Sequence, residues 1–325
     1  MSDVRFDELE KYLHSGGFPG AFLNSRRVAP TPEALADNAG SVAFIGVPFD
    51  AMCISRTGTN HGPKAIREAS EQFSSFNSSL GIDLQDSFSL IDCGDAPVIP
   101  GSAQKTFDAF DQTLEAMHRN KITPVVFGGD HSVTIPNVRA FARHYRSPGL
   151  ILVDSHFDTA EQLGGEELSH CCPITRAVDA GFNPSKIVIM GINGWMNPRI
   201  EEEYTKRHGI TVIHIDEIVE GGIAAAARKA RAIAEQGSDG VYMTFDIDSI
   251  DASAAPGTGV PAIGGLSARE AIALVRELGQ AGGGLGGFDI MEVSPSYDHD
   301  GITSRLAVCL TLETLGAIAK ARGQG

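Results

Sequence analysis

The chain alternates short, nearly continuous apolar runs with longer amphipathic segments, and this alternation constrains the fold more than any other feature. Apolar runs of strand length occupy 42–47, 123–127, 149–153, 186–190, 210–215, 241–245 and 285–291. Segments of helical periodicity occupy 62–70, 103–120, 134–145, 222–235, 267–278 and 303–321. Apolar strands separated by helices are typical of a parallel sheet that is covered on both faces. The pattern predicts an α/β protein with about eight strands.

Residues 41–325 are predicted to form one domain, because no linker rich in proline, glycine or serine interrupts the alternation. Residues 1–40 contain the breakers Gly16-Gly17, Pro19-Gly20 and Pro30-Thr31-Pro32, and they are predicted to be an irregular N-terminal arm. A length of 325 residues is sufficient for a large single core.

Charge and cysteine content narrow the partners and the compartment. With 26 Lys and Arg against 41 Asp and Glu, the net charge is −15. Such a surface repels phosphate backbones and mildly attracts a cationic substrate, so we expect no nucleic-acid partner. The five cysteines are odd in number and show no C-x-x-C spacing, which favours a reducing compartment. No apolar leader or membrane span is evident, so a cytoplasmic location without membrane contact is expected.

Acidic and histidine-containing segments follow three of the predicted strands. Asp154-Ser-His-Phe-Asp158 follows 149–153, Asp246-Ile-Asp248 follows 241–245, and Gly128-Gly-Asp-His-Ser132 follows 123–127. Ligand sites of α/β sheets lie at the carboxyl ends of the strands. Crowded buried carboxylates require a neutralising cation. The sequence therefore predicts a hydrolase with two divalent cations, whose ligands are His131, Asp154, His156, Asp158, Asp246 and Asp248.

Each segment also has a purely structural interpretation. The 128–132 segment suits a tight strand-to-helix turn with an Asp or Ser cap, and 244–251 suits a capped strand end followed by an acidic loop. Glu292, after the last predicted strand, suits a helix cap or a surface carboxylate when it is taken alone.

Five segments together resemble the ureohydrolases, and the agmatinase branch more than the arginases proper. They are G-G-D-H-S (128–132), D-S-H-F-D (154–158), F-D-I-D-S-I-D (245–251), A-P-G-T-G-V-P (255–261) and M-E-V-S-P-S-Y-D (291–298). The resemblance covers roughly residues 40–320 in the order and spacing of the family.

The resemblance implies a three-layer α/β/α arginase-type fold and a dinuclear manganese centre that cleaves a guanidino group to urea and an amine. It assigns His131, Asp154, Asp158 and Asp246 to one ion. It assigns His156, Asp154, Asp246 and Asp248 to the other ion. The catalytic group would comprise His170 as proton shuttle, Glu292 as the carboxylate that orients the guanidinium, and Asp158. Imidazole ligands also suit Ni²⁺, so nickel is the alternative to Mn²⁺.

Several positions depart from the family pattern. Ser155 replaces the usual alanine, and His170-Cys171-Cys172-Pro173 replaces H-G-x-P. The 159–169 loop does not resemble the arginase segment that grips an α-amino acid, which disfavours arginine as substrate. Glu166, with Glu161 and Glu167 as alternatives, is predicted to meet a second positive charge. Trp195 and Met196 are predicted to form an apolar wall for a small or alkylated guanidine, and Asn193, where the family often has Arg, is predicted to contact the substrate.

The leading hypothesis is thus a dinuclear metal hydrolase of a small cationic guanidino compound that is agmatine-like. A guanidine, alkylguanidine or biguanide hydrolase, with nickel as its alternative metal, is the alternative within the class. A single-zinc deacetylase-like amidohydrolase and an inactive partner subunit are the alternatives from other classes. The resemblance also implies a homo-oligomer, either a trimer or a hexamer.

Overall fold

A parallel sheet at the centre of the molecule organises the fold of this computed structural model, which describes residues 20–323. The strands in chain order are β1 (Arg26–Arg27), β2 (Val42–Gly46), β3 (Phe76–Asn77), β4 (Ile82–Asp83), β5 (Leu90–Asp95), β6 (Thr123–Phe127), β7 (Pro148–Val153), β8 (Ile187–Ile192), β9 (Thr211–His214), β10 (Gly240–Asp246) and β11 (Gly287–Met291). Nine of them form the sheet in the order β1-β5-β2-β6-β11-β10-β7-β8-β9, with every pairing parallel. The short strands β3 and β4 form a separate antiparallel pair.

Helices cover both faces of this sheet, so the fold has the three layers that were expected. The helices are α1 (Pro32–Asp37), α2 (Gly62–Ser70), α3 (Leu84–Ser87), α4 (Ala103–Arg119), α5 (Thr134–His144), α6 (Pro173–Asp179), α7 (Arg199–His208), α8 (Ile215–Gly221), α9 (Ile223–Glu235), α10 (Ala268–Leu278) and α11 (Ile302–Ala321). Helices α2, α9, α10 and α11 pack on one face, and α4, α5, α6 and α7 pack on the other.

Alternating strand residues fill the two cores. In β6, Val125 and Phe127 enter the core beneath α2 and α11, whereas Val126 enters the core beneath α4. All five residues of β6 are buried, which explains why its sequence reads as a continuous apolar run. Helix α10 begins with the predicted capping box, in which Ser267 accepts from the Glu270 amide and Glu270 accepts from the Ser267 amide.

The described part of the expected arm is more regular than predicted. Residues 26 and 27 form the edge strand β1, which pairs with β5. Helix α1 begins at Pro32, whose fixed φ suits a first turn, and Thr31 caps it by accepting from the Ala34 amide at 3.3 Å. Residues 1–19 of the arm lie outside the described part of the chain.

Strand β5 is not among the strands that the sequence predicts, because Asp92 and Asp95 interrupt its apolar pattern. Both carboxylates are paired with Arg67 of α2, which is only 2% exposed. Arg67 donates to Asp92 from Nε at 2.8 Å and from Nη2 at 3.0 Å, and its Nη1 lies 2.6 Å from Asp95. This ion pair lets a strand that carries two acids lie inside the sheet.

The last helix, α11, is long and apolar enough to qualify as a membrane span by length and hydropathy, which the sequence reading did not anticipate. Of its most apolar window, 78% is buried inside the fold. Its apolarity therefore reflects a position against the sheet and the neighbouring helices α2 and α10.

Candidate metal centre

The six predicted ligands converge where four central strands end. Strands β6, β11, β10 and β7 are neighbours in the sheet and run in the same direction. His131 follows β6, Asp246 ends β10, and Asp154 follows β7. Glu292 follows β11 in the middle of this row. Segments that are distant in sequence therefore deliver their side chains to a single cleft.

A tight turn after β6 places His131. At Gly129 an added Cβ would lie 1.6 Å from the Phe49 carbonyl oxygen, so only glycine lets the backbone pass at this distance. Asp130 caps the turn by accepting from the Ser132 amide at 3.0 Å, and burial raises its pKa to about 7. The structural interpretation of this segment thus holds for Asp130, while the next residue enters the cleft.

His131 faces three carboxylates with a single ring nitrogen. Its Nδ1 lies 2.9 Å from Asp246 Oδ2, 3.1 Å from Asp158 Oδ2 and 3.2 Å from Asp154 Oδ2. The imidazole is buried. Burial alone would lower the pKa of His131, but the three carboxylates raise it well above its ordinary value. One imidazole thus lies at the meeting point of three acids.

A second cluster shares Asp154 with the first. His156 Nδ1 lies 3.3 Å from Asp154 Oδ1 and 3.2 Å from Asp248 Oδ2. The two oxygens of Asp154 therefore face two different histidines. Burial would lower the pKa of His156, but Asp248 and Asp154 raise it strongly. The arrangement is what a carboxylate bridging two cation positions requires.

The donor set fits two divalent cations by the chemistry of its buried atoms. His131 Nδ1 and Asp154 Oδ2 are both buried, and neither has a hydrogen-bond partner in the part of the chain that the structure describes. Burial, together with the nearby Asp248 and Asp154, raises the pKa of Asp246 well above its usual range. Cations between these atoms would satisfy both orphaned atoms and offset the carboxylate repulsion.

Glu292 joins the cluster to His170. Its Oε1 accepts from the His131 amide at 2.9 Å and lies 3.0 Å from His170 Nδ1. His170 Nε2 accepts from the Ile54 amide at 3.1 Å, so the ring proton lies at Nδ1, toward the carboxylate.

Two residues of the centre adopt left-handed backbone conformations that are rare outside glycine. Asp158 has φ of 51° and Glu292 has φ of 63°. Asp158 is held by its carbonyl, which accepts from the Ile174 amide at 3.1 Å, and Glu292 is held by its amide, which donates to the Gly129 carbonyl at 3.0 Å. Such strain is tolerated where the surroundings fix the position of a functional side chain.

A cavity of about 350 Å³ opens onto these groups. Its floor contains ligand candidates together with Glu292 and His170. Its walls are largely apolar, and the apolar residues are Ile54, Leu163, Met196, Pro198 and Val260. Glu201 of α7 is a further acid in the wall. Among the described residues, those that line this cavity include no lysine or arginine.

Of the residues expected beside the substrate, Met196 lines the cavity, whereas Trp195 and Asn193 lie outside its lining. Trp195 is fully exposed, and Asn193 donates to the Ile263 carbonyl at 2.8 Å. Asn193 precedes the short turn Gly194–Met196 and Trp195 lies within it, and the winding of this turn sends Met196 into the cavity and Trp195 to solvent. Glu166 lines a different cavity and accepts from the Leu168 amide at 2.8 Å.

The other two candidate acids of that loop each pair with an arginine. Glu161 lies 3.4 Å from Arg207, and Glu167 lies 3.5 Å from Arg176. The loop acids therefore do not face the cavity, because local backbone bonds and surface ion pairs hold them outside it.

Sequence reasoning missed two functional candidates. Glu201 reaches the cavity from a helix that the sequence analysis did not predict, and burial beside Asp158 raises its pKa to about 7. Its Oε2 accepts from the Thr159 amide at 3.3 Å. Ser155 donates to Asp248 Oδ1 at 2.8 Å, which gives a role to its replacement of alanine. The departure at Ser155 was the only available sequence signal for either residue.

Comparisons with known proteins identify the family to which the chain is similar. Residues 40–316 match the Arginase family. The chain is 34% identical over 281 residues to a guanidinopropionase of Pseudomonas aeruginosa, covering 86% of this chain and 87% of that protein. It is 33% identical over 291 residues to an agmatinase of an Enterobacter species, covering 89% and 90%. The solved proclavaminate amidino hydrolase of Streptomyces clavuligerus superposes with a TM-score of 0.85 at 32% identity, covering 94% of this chain and 98% of that one.

Proposed function

Because this chain belongs to the arginase family, we propose that it is a dinuclear metal-dependent ureohydrolase of a small guanidino compound without a carboxylate. Water adds to the guanidinium carbon, and the C–N bond to the leaving nitrogen breaks, which yields urea and an amine. Agmatine is the first substrate to test. The observation that carries the proposal is Asp154, whose two oxygens face His131 and His156 at 3.2 and 3.3 Å.

The chain offers a complete set of ligands for two cations. One would be held by His131, Asp154, Asp158 and Asp246, and the other by His156, Asp154, Asp246 and Asp248. Two such ions, when bound, lower the pKa of water so that it can attack the electron-rich guanidinium carbon near neutral pH. Oxygen and imidazole donors favour Mn²⁺, and Ni²⁺ is the alternative. A single-zinc site or an inactive subunit would not need the whole set.

Glu292 would orient the guanidinium. One of its oxygens, Oε1, is committed to the His131 amide and to His170. An added Cβ at Gly259 would lie 3.7 Å from the other oxygen, Oε2, so that oxygen faces the backbone of the loop around Gly259. A planar guanidinium donates paired, charge-assisted hydrogen bonds to a carboxylate, which would fix the plane of the substrate.

His170 would supply the proton that the leaving amine requires. Its Nδ1 proton lies between the ring and Glu292, at the edge of the cavity. The Ile54 amide holds the opposite nitrogen, so the ring cannot swing freely. A proton held at Nδ1 beside the guanidinium-binding carboxylate is suited to transfer to the departing nitrogen.

The cavity walls support the class of substrate. The wall acid Glu201 would repel the carboxylate of a guanidino acid, and the lining provides no lysine or arginine among the described residues to pair with one. A distal ammonium would instead meet Glu201, and a small alkyl group would meet Met196 and Pro198. The apolar wall is also the feature that favours the second candidate, an alkylguanidine or biguanide hydrolase.

A substrate panel tests the proposal. Urea and amine release would be measured for agmatine, guanidine, dimethylbiguanide, 4-guanidinobutyrate and arginine, with Mn²⁺ and Ni²⁺ compared. We expect turnover of agmatine or of an uncharged alkylguanidine, and at least tenfold lower kcat/KM for the two carboxylate-bearing compounds. Preferred turnover of 4-guanidinobutyrate would refute the substrate class, and release from none of the compounds would refute the activity.

Light scattering would test the predicted trimer or hexamer.

A further inference from the structure

A buried acid outside the ligand set, Asp289, lies at the middle of β11. It is fully buried and is opposite Thr244 of β10 in the sheet register. Its Oδ2 accepts three hydrogen bonds, from Asn137 Nδ2 at 2.8 Å, Tyr242 OH at 2.9 Å and Thr134 Oγ1 at 3.1 Å. A carboxylate in the interior of a sheet is costly, and the proposed chemistry does not use Asp289 directly.

Two hydroxyl groups connect Asp289 to His131. Thr134 Oγ1 lies 3.0 Å from Thr244 Oγ1, and Thr244 Oγ1 lies 2.9 Å from His131 Nε2. All four side chains are buried. Nδ1, the other nitrogen of the same ring, faces the carboxylates of the cleft.

The direction of this chain of hydrogen bonds follows from the number of protons available. A hydroxyl has one proton to donate. Thr134 donates its proton to Asp289, so it can only accept from Thr244. Thr244 then has no proton left for His131, so it must accept from Nε2–H. Nε2 therefore carries a proton, which leaves Nδ1 as the ring atom that can bind a cation between the carboxylates.

We propose that Asp289 is a positioning residue that acts through Thr134 and Thr244 to hold His131 as the Nε2–H tautomer, with Nδ1 as the ligand atom. This inference rests on the proposed metal centre. The hydrogen-bonded series Asp289–Thr134–Thr244–His131, called the relay below, fixes both the tautomer and the plane of the His131 ring. Partners of this kind behind a metal-binding histidine change metal affinity by about 10–100-fold when they are removed.

The test measures metal binding rather than turnover. Full-length protein would be stripped of metal and titrated with Mn²⁺ by equilibrium dialysis, giving the number of ions and a Kd for each. Thr244→Val keeps the shape of the side chain and removes the hydroxyl, and Thr244→Ser restores it. Tyr242→Phe is the matched control, because Tyr242 donates to the same Asp289 oxygen from outside the path to His131.

We expect Thr244→Val to weaken one of the two ions by about 10–100-fold and to leave the other within about threefold. Thr244→Ser and Tyr242→Phe should bind both ions as the wild type does. Thr134→Val breaks the relay one link further away, at the start of α5, and should weaken binding of the same ion. It provides the test if Thr244→Val does not fold.

Two results would overturn the relay. One is wild-type affinity of Thr244→Val for both ions. If Thr244→Val does not fold, wild-type affinity of Thr134→Val for both ions has the same meaning. The other is equal weakening in Tyr242→Phe, which would mean that only packing around Asp289 matters. A wild-type protein that binds no ions would instead defeat the metal centre on which the relay rests, so the two failures are distinguishable.

Discussion

The hydroxyl of Ser155 donates a 2.8 Å hydrogen bond to Oδ1 of Asp248. The other oxygen of that carboxylate, Oδ2, lies 3.2 Å from His156 Nδ1. Ser155 therefore fixes the orientation of the Asp248 carboxylate, a proposed ligand, through the oxygen that does not face His156. It lies between two proposed ligands, Asp154 and His156, and so ties the segment after β7 to the acid that follows β10.

Ser155→Ala should weaken the ion held by His156 and Asp248 by about tenfold, because the carboxylate loses the bond that orients it. The ion held by His131 should keep its affinity. Competition with a chelator of known Kd would measure both. Equal weakening of the two ions would mean that the hydroxyl affects the centre as a whole rather than Asp248.

Asp246→Ala should abolish metal loading and turnover together, because Asp246 is proposed to contact both ions and lies 2.9 Å from His131 Nδ1. Elemental analysis and urea release would be measured on the same preparation. Asp251→Ala is the matched control, since Asp251 belongs to the same segment but accepts from the Ser253 and Gly264 amides. Turnover by wild-type protein after exhaustive chelation would contradict the metal-dependent mechanism.

Glu201→Gln should raise the KM for agmatine by about tenfold or more, because a buried charge pair with the distal ammonium would be lost. The KM for guanidine, which has no distal group, should stay nearly unchanged. Glu202→Gln is the control, since Glu202 lies on the same helix but pairs with Lys206 at the surface. A similar change in KM for every substrate would show that Glu201 supports the fold of the site and does not select the substrate.

Arg67→Met should lower the free energy of unfolding by about 3–5 kcal/mol, because it leaves Asp92 charged and buried without its partner. Urea denaturation of the metal-free protein would measure this. Lys64→Met, in the same helix, removes only an exposed pair with Glu68 and should change stability by less than about 1 kcal/mol. Equal effects of the two changes would contradict the role given to the buried pair.

His118 should make the protein less stable as pH falls. Burial and the nearby His144 lower the pKa of His118 to about 3, whereas the unfolded chain keeps the ordinary value of 6.5. Below pH 6.5 His118 is therefore protonated in the unfolded state but stays neutral in the folded state. The free energy of unfolding falls as the pH drops toward 3. The contribution between pH 7 and pH 5.5 is about 1 kcal/mol.

His118→Phe should remove this part of the pH dependence, as measured by the difference between denaturation curves at pH 7 and pH 5.5. His118 already packs edge-on against Phe141, so phenylalanine suits the site. His299→Phe, at an exposed position, should leave the difference unchanged. A wild-type pH dependence in His118→Phe would show that other groups account for it.

Elements with a strong local signal were predictable from the sequence. Strand β6 was predicted with its observed bounds, because its sequence is a mostly apolar run that a glycine pair follows. Helix α10 carries its start signal in Ser267 and Glu270. Strand β5 and helix α7 were not predicted, since the acids of β5 need a distant arginine and α7 is largely polar.

The sequence by itself determined the chemistry of the candidate site. Carboxylates and histidines placed directly after apolar strands must meet at one edge of a parallel sheet, because such strands all end on the same side. Only the tertiary structure decided which other side chains meet there. Glu201 and Ser155 enter the site, and Trp195 and Glu166 do not, because turn winding and helix placement orient these side chains through contacts between segments far apart in the chain.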